Sequence, residues 1–356
     1  MPSGEQAYAF AKACGIIGKS FVGKRMSRLR SVGRLTELDR LVFPRSSRDL
    51  PERELLRDLE RRIIDRSVNQ IALIVDSFAN PPELLIRLVR SYEYGDVKNA
   101  LAGIIEGSGK KPEFTGLGAF GTVNFDAYPQ IKDMFRGTEF AFLLDVDMFP
   151  EGEEGRNEGF LNRLQMELDR RYYTYLWNAL FSLAPADRKA IERILSEEIA
   201  LRNAAWSLRL RTYYGMAPQE TEEFLIPIGI GRRYDGEGAS PASRRGKTLA
   251  DDARASLSMA LDYRPDWEKW KRAALLNPEG SDEHWRADPR YFQNAASEYL
   301  YRLARRSFYR TPFTVDSIAC FIKLKQFEED ILTSVAEGLG LGLSAEDIFS
   351  MLEVTP

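Results

Sequence analysis

The residues Ala13-Cys-Gly-Ile-Ile-Gly-Lys-Ser20 match a relaxed phosphate-loop pattern, with alanine where the first glycine is usual, and Ile71-Ala-Leu-Ile-Val-Asp76 could pass for a strand ending in a magnesium-binding aspartate. On that reading Lys19 grips phosphates, Ser20 and Asp76 hold magnesium, and the protein is an NTPase. The context points elsewhere. A phosphate loop follows a buried strand, whereas Tyr8-Ala-Phe-Ala-Lys12 is alanine-rich and helix-forming, and Asp76 sits inside a sustained helical period from Leu55 to Phe78. Gly15 and Gly18 then serve close helix packing. A single histidine, His284, and two distant cysteines, Cys14 and Cys320, make a poor structural zinc set, since such sites draw four ligands mostly from Cys and His. His284 reads as a surface loop residue. The carboxylate pairs Asp145/Asp147 and Glu153/Glu154 read as a helix-end cap and a solvated loop, with no base placed beside a nucleophile. The expectation is a chain without catalytic residues, cofactor or metal.

The elements that position the remaining polar residues are helices. Around Ser196–Gly215, Ile191, Ile194, Leu195, Ile199, Ala205, Trp206 and Tyr213 share one broad face at 100° per residue, with Glu198, Arg202 and Arg209 set within it as a polar seam. Ser196, Ala200, Asn203, Ala204 and Ser207 fall on the opposite side. Glu198 and Arg202 are spaced i to i+4 and can pair along the helix, which leaves Arg209 in need of an anion from elsewhere. The seam either seals two packed helices or is offered to another protein.

Weaker echoes of this plan occur upstream and downstream. A basic arm comes first: residues 12–48 carry ten Lys or Arg, among them Lys19, Lys24, Arg25, Arg28 and Arg30, against Glu37 and Asp39, a balance of +8. Met26, Leu29, Val32, Leu35, Leu38, Leu41 and Val42 recur among those charges at helical spacing, so the arm is expected to be the solvated face of a packed helix. A long helix follows from Pro51 to Asn80, and a second runs from Leu84 to about Gly107. Helices over about 162–183 and 291–309 each precede a further helix. The joints read Phe78-Ala-Asn-Pro81, Phe181-Ser-Leu-Ala-Pro185 and Phe308-Tyr-Arg-Thr-Pro312, each placing proline at a helix start, where its missing N–H costs nothing. We read three related helix-pair repeats, at 1–109, 110–228 and 229–356, with a mobile polar loop over about 229–247. Strand signals are nearly absent outside short runs such as Leu225–Ile230.

A chain of 356 residues exceeds the size at which one core keeps growing, which fits more than one unit. Its composition, 44% hydrophobic and 29% charged, is that of a soluble globular protein, and its net charge of −3 gives no overall attraction for nucleic acid. The longest apolar runs, such as Ile71–Val75 and Phe140–Leu144, fall far short of the ~20 residues of a spanning helix. With two distant cysteines and no basic-then-apolar leader, the setting reads as reducing and cytoplasmic.

Four stretches, in their order and spacing, carry a resemblance: Asp96-Val-Lys-Asn-Ala-Leu101; Leu201-Arg-Asn-Ala-Ala-Trp-Ser-Leu-Arg209 with Leu225-Ile-Pro-Ile-Gly229 behind it; Pro312-Phe-Thr-Val-Asp-Ser-Ile-Ala-Cys-Phe-Ile322; and the closing Gly340-Leu-Gly-Leu-Ser-Ala-Glu-Asp-Ile-Phe-Ser-Met-Leu352. Over most of its length the chain resembles the central-stalk C-type component of the prokaryotic V/A-type ATPases (V-type ATP synthases), related to the d-type component of the eukaryotic vacuolar enzyme. It departs from the family's Glu-Ile-x-Asn-Leu pattern in the third repeat, reading Glu328-Glu-Asp-Ile-Leu332 without the asparagine. The resemblance implies an all-α funnel of three similar bundles about a pseudo-threefold axis. Such a funnel sits on the rotating proteolipid ring of the membrane sector, receives the tip of the central shaft of the soluble ATPase head, and passes on rotation without chemistry. It further implies a cytoplasmic protein, peripheral to the membrane, in a complex that moves protons or sodium. A generic helical scaffold would share the fold but not those partners. Candidate interface residues are the arm set Lys19, Lys24, Arg25, Arg28 and Arg30 and the seam set Glu198, Arg202 and Arg209. Residues 311–356 carry eight acids against two lysines, −6, so a closed ring of three units should bring them beside the basic arm.

Overall fold

The computed structural model describes residues 4–45, 48–146, 158–234, 247–278 and 284–352. The described residues are helical with no strand; Leu225–Ile230 is a largely buried extended run joined to the chain beyond by one isolated bridge, Gly229 to Thr248. Asp147, Glu153, Glu154 and most of the 229–247 loop lie outside the described residues.

The chain begins with α1 (Gly4–Ile17), a 3-10 segment (Gly23–Ser31) and α2 (Leu35–Val42). The arm is therefore not one helix. Its apolar spacing nevertheless marks the right residues, because Met26, Leu29, Val32, Leu35, Leu38 and Val42 are all buried. α3 (Glu52–Val75) buries Leu55, Leu59, Ile63 and Ile71 along one stripe, each worth about 1.5–3 kcal/mol against exposure. The second helix of the first pair is broken: α4 (Glu83–Val89) stops at Arg90 and α5 (Ser91–Ile105) restarts at once. The Gly-rich stretch after α5 is not loose. Buried Glu93 takes the N–H groups of Thr122 and Val123, and Asp96 takes that of Thr115 at 2.7 Å.

Short α6 (Ile131–Phe135) leads to α7 (Glu158–Ala179) and α8 (Pro185–Tyr213), whose first residue is the joint proline and whose exit turns at Gly215, with φ of +61°. Proline does not open the other two helices. α4 starts after Pro82, and α12 (Val315–Gly340) starts three residues beyond Pro312, where Thr314 and Ser317 form a reciprocal cap. Between α8 and α12 lie α9 (Pro218–Glu223), α10 (Asp251–Ser256) and α11 (Pro289–Arg310), and α13 (Ala345–Met351) closes the chain.

The molecule is organised around α12, which is buried almost all round. It packs on α3 and α11, and also on α1, α4, α8 and α13. α4 and α5 pack on α7, and α8 packs on α11, so the three helix pairs touch one another in turn. One apolar cluster runs continuously from Ala9 to Phe349 through all three pairs. A second, smaller one gathers Trp267, Trp270 and Phe292 against Leu201, Ala204 and Leu208 of α8. The face of α8 placed by its sequence opposite the core is thus buried as well: Asn203 and Ser207 are inaccessible, the first held by Ile226 and Leu249 and the second by Ser256 of α10. Tyr213, placed on the apolar face, is 57% exposed.

The basic arm and the acidic C-terminal region are in contact. The N–H of Phe21 donates to Glu328 at 2.6 Å, and the Arg30 guanidinium lies 4.8 Å from the ring of Phe349 in α13.

Candidate functional site

The three pairs line an open cavity of about 580 Å³. α5 presents Asp96, Lys98 and Asn99 to it; α7 presents Asp169 and Tyr173; α8 presents Glu198, Arg202 and Arg209; α11 presents Gln293 and Ser297; and α12 presents Lys323, Gln326, Glu329 and Asp330. A polar tie spans each junction. Lys98 Nζ of α5 meets Asp169 of α7 at 2.6 Å, Lys323 Nζ of α12 meets Glu198 of α8 at 2.8 Å, and the Tyr92 hydroxyl of α5 donates to Glu329 of α12 at 2.7 Å.

The seam residues therefore come together here, with one correction. Glu198 does not pair directly with Arg202. Its carboxylate is taken by Lys323 and by the Tyr173 hydroxyl at 3.2 Å, while Arg202 Nη2 donates to the same hydroxyl at 3.2 Å, so Tyr173 stands between them. Arg202 and Arg209 are exposed and line this cavity. Local sequence patterns miss Lys98, Asp169, Lys323 and Asp330. Lys323, for example, interrupts the apolar run between Ile322 and Leu324, and the partners of Lys98 and Lys323 lie 71 and 125 residues away, where only the fold reveals them.

Burial governs the electrostatics. Desolvation lifts Glu329 to about 7 and Asp330 to about 6, the latter despite attraction from Arg202 and then Lys323. Asp96 likewise rises to about 7, burial outweighing its bonds to Thr115. Three carboxyls of the lining, Asp96, Glu329 and Asp330, are thus shifted toward neutrality in a space that also holds Lys98, Arg202, Arg209 and Lys323.

These shifts set a direction for stability. A carboxyl whose pKa is raised on folding binds more protons folded than unfolded between the two values, so stability is full at low pH and is lost as pH rises toward 7. Asp96→Asn keeps an acceptor for the Thr115 N–H and removes the charge. It is expected to flatten the fall in stability between about pH 4 and 7 by up to about 1.4 kcal/mol per pH unit, read from urea midpoints. An unchanged slope contradicts this.

The arm residues lie apart from the cavity. Lys24, Arg28 and Arg30 are exposed along the 3-10 segment, whereas Lys19 and Arg25 border a separate hollow between α1 and α3. The phosphate-loop geometry is not formed. Residues 13–17 are helix, Lys19 and Ser20 continue it as turns onto the carbonyls of Ile16 and Ile17, and Asp76 caps the end of α3 on the surface. Gly15 has no neighbour close enough to require glycine. His284 is exposed in a loop, in agreement with its sequence context.

The described residues are helical, and three helix pairs line one polar cavity. The model of the ATP synthase (C/AC39) subunit family matches residues 47–351, and the chain belongs to that family. It is 26% identical over 337 residues to an uncharacterized protein of Treponema pallidum (strain Nichols), covering 94% of this chain and 92% of that one. It is 23% identical over 214 residues to the C component of the A-type ATP synthase of Methanosarcina mazei, covering 58% of this chain and 55% of that protein. Among the described residues no helix is long and apolar enough to cross a membrane.

Proposed function

We propose that the protein is the non-catalytic central-stalk component of a rotary V/A-type ATPase, joining the rotating shaft of the soluble head to the proteolipid ring of the membrane sector. The carrying observation is the cavity with a polar tie across each of its three junctions. In this reading residues 1–109, 110–228 and 229–356 are three units of a pseudo-threefold funnel, and the cavity is its lumen. A coupler must pass torque without yielding. Mutually braced long helices, with α12 packed on several neighbours at once, supply that stiffness. The lumen offers Arg202 and Arg209 to an acidic surface of the shaft, and the outer arm, through exposed Lys24 and Arg28, meets the ring. The protein would then work in the cytoplasm, held at the membrane by its partners. Isolation of the tagged chain from membranes of the host tests this: shaft and proteolipid ring are expected together with it, and recovery with neither contradicts it.

A further inference from the structure

The hollow beside the arm has a chemistry that a mechanical coupler does not use. It measures about 590 Å³ and is bordered by Lys12 and Lys19 of the α1 end, Arg25 of the 3-10 segment, and Arg66 and Gln70 of α3, with Glu328 of α12 at its floor. Four cations thus face one carboxylate, and that carboxylate is already held by Lys325 and by Arg66 at 3.2 Å. Among the described residues Lys19 and Arg25 have no carboxylate within ion-pair distance; the Arg25 guanidinium lies instead 5.3 Å from the centre of the Phe21 ring. Nε of Arg25 and Nε of Arg66 are shut from water without a hydrogen-bond acceptor in the chain. Donors left in this state cost stability, and the two side chains they belong to carry positive charge beside the hollow. The two guanidiniums also repel: burial lowers the pKa of Arg66, and Arg25 lowers it further against the pull of Glu328.

We propose that this hollow is a phosphate-binding site, in which Arg25, Arg66 and Lys19 hold a phosphoryl dianion through charge-assisted hydrogen bonds. The planar guanidinium fork matches tetrahedral oxyanion edges, and a dianion offsets the excess of positive charge more fully than a carboxylate does. Leu41, Val42, Pro44 and Leu73 line the rest of the hollow, leaving room for an apolar or glycerol-like portion beside the phosphate. The phosphoryl group can thus come from free phosphate or from a phospholipid headgroup.

The test is calorimetric titration of the full chain with inorganic phosphate, and separately flotation with phosphatidylcholine vesicles with and without phosphatidylglycerol. Saturable phosphate binding, weakened about ten-fold or more by Arg25→Gln and by Lys19→Gln but not by Lys24→Gln outside the hollow, supports the site with free phosphate as its source. Flotation that needs phosphatidylglycerol and is lost in the same two variants supports it with the headgroup as source. No binding in either arm, binding that survives both substitutions, or phosphate held no more tightly than chloride overturns it. Should a variant fail to fold, protection of Lys19 from amine acetylation by phosphate in the unaltered chain decides the matter, and absence of protection counts against the site.

Discussion

Glu328→Gln is expected to destabilise the protein by about 3–5 kcal/mol, because it leaves buried cations without their counter-charge. Glu328 and Lys325 are each 1% exposed. The carboxylate binds Lys325 Nζ, Arg66 Nη2 and the N–H of Phe21, so one side chain of α12 holds α3 and the turn after α1 together. Burial alone would raise its pKa, but attraction from Lys325 and then Arg66 overcomes this and holds the carboxyl below its usual range. A carboxyl lowered on folding gives stability that is present above the unfolded value of about 4.5 and is lost as pH falls through the folded one. Acid unfolding of wild type should therefore include this group, and Glu328→Gln should lack that part of the transition. Adding Lys325→Met removes one orphaned charge and is expected to recover roughly half of the loss. A single-variant loss under about 1 kcal/mol in urea unfolding contradicts the assigned role.

Asn203→Ala carries the second large effect, at about 3–5 kcal/mol, since truncation leaves three buried backbone groups without a partner, each costing about 1–3 kcal/mol, against only a few tenths gained from the better helix former. The amide is fully buried in α8, where Nδ2 donates to the carbonyls of Ile226 and Leu249 at 3.1 and 3.0 Å, and Oδ1 accepts the Ile226 N–H at 2.8 Å. Asn178 clips the same returning segment at Tyr234 from α7 with a matching pair of bonds. Hydrogen exchange should accelerate first at Ile226 and Leu249 in the variant. Unchanged exchange there would mean that the segment is held by its apolar contacts alone.

Asn203 also shows where sequence patterning reaches its limit. Periodicity identifies a helix by its apolar stripe, and α3, α7, α8, α11 and α12 were legible in that way, as were the buried residues of the arm. A face of small and polar residues reads as solvent-facing, yet in α8 it is buried, because Asn203 and Ser207 find partners 23 and 49 residues further on. The break at Arg90 is equally silent, since α4 and α5 together keep one helical period. The tryptophan cluster around Trp267 is built from short turns that carry no period at all. The contact between the basic arm and the acidic end was legible because net charge is a property of composition, whereas the direct Glu198–Arg202 pair failed because Lys323 and Tyr173 compete for the same carboxylate. Half of the candidate site, the seam of α8, was visible as polar residues in an apolar face. The other half, contributed by α5, α7 and α12, needed the fold.

Family membership implies a role within an ATP synthase complex, and we propose that the cavity, on which side chains from every helix pair converge, is where a partner's surface is gripped. The measurement that bears most directly on this is affinity isolation from membranes of the tagged wild type beside the tagged Arg202→Glu/Arg209→Glu chain, with shaft and ring proteins quantified by mass spectrometry. The expected result is recovery of both partners with wild type, and with the lumen variant a drop in shaft recovery of about ten-fold or more while the ring is retained and the circular dichroism is unchanged. Equal shaft recovery with the two chains would contradict it.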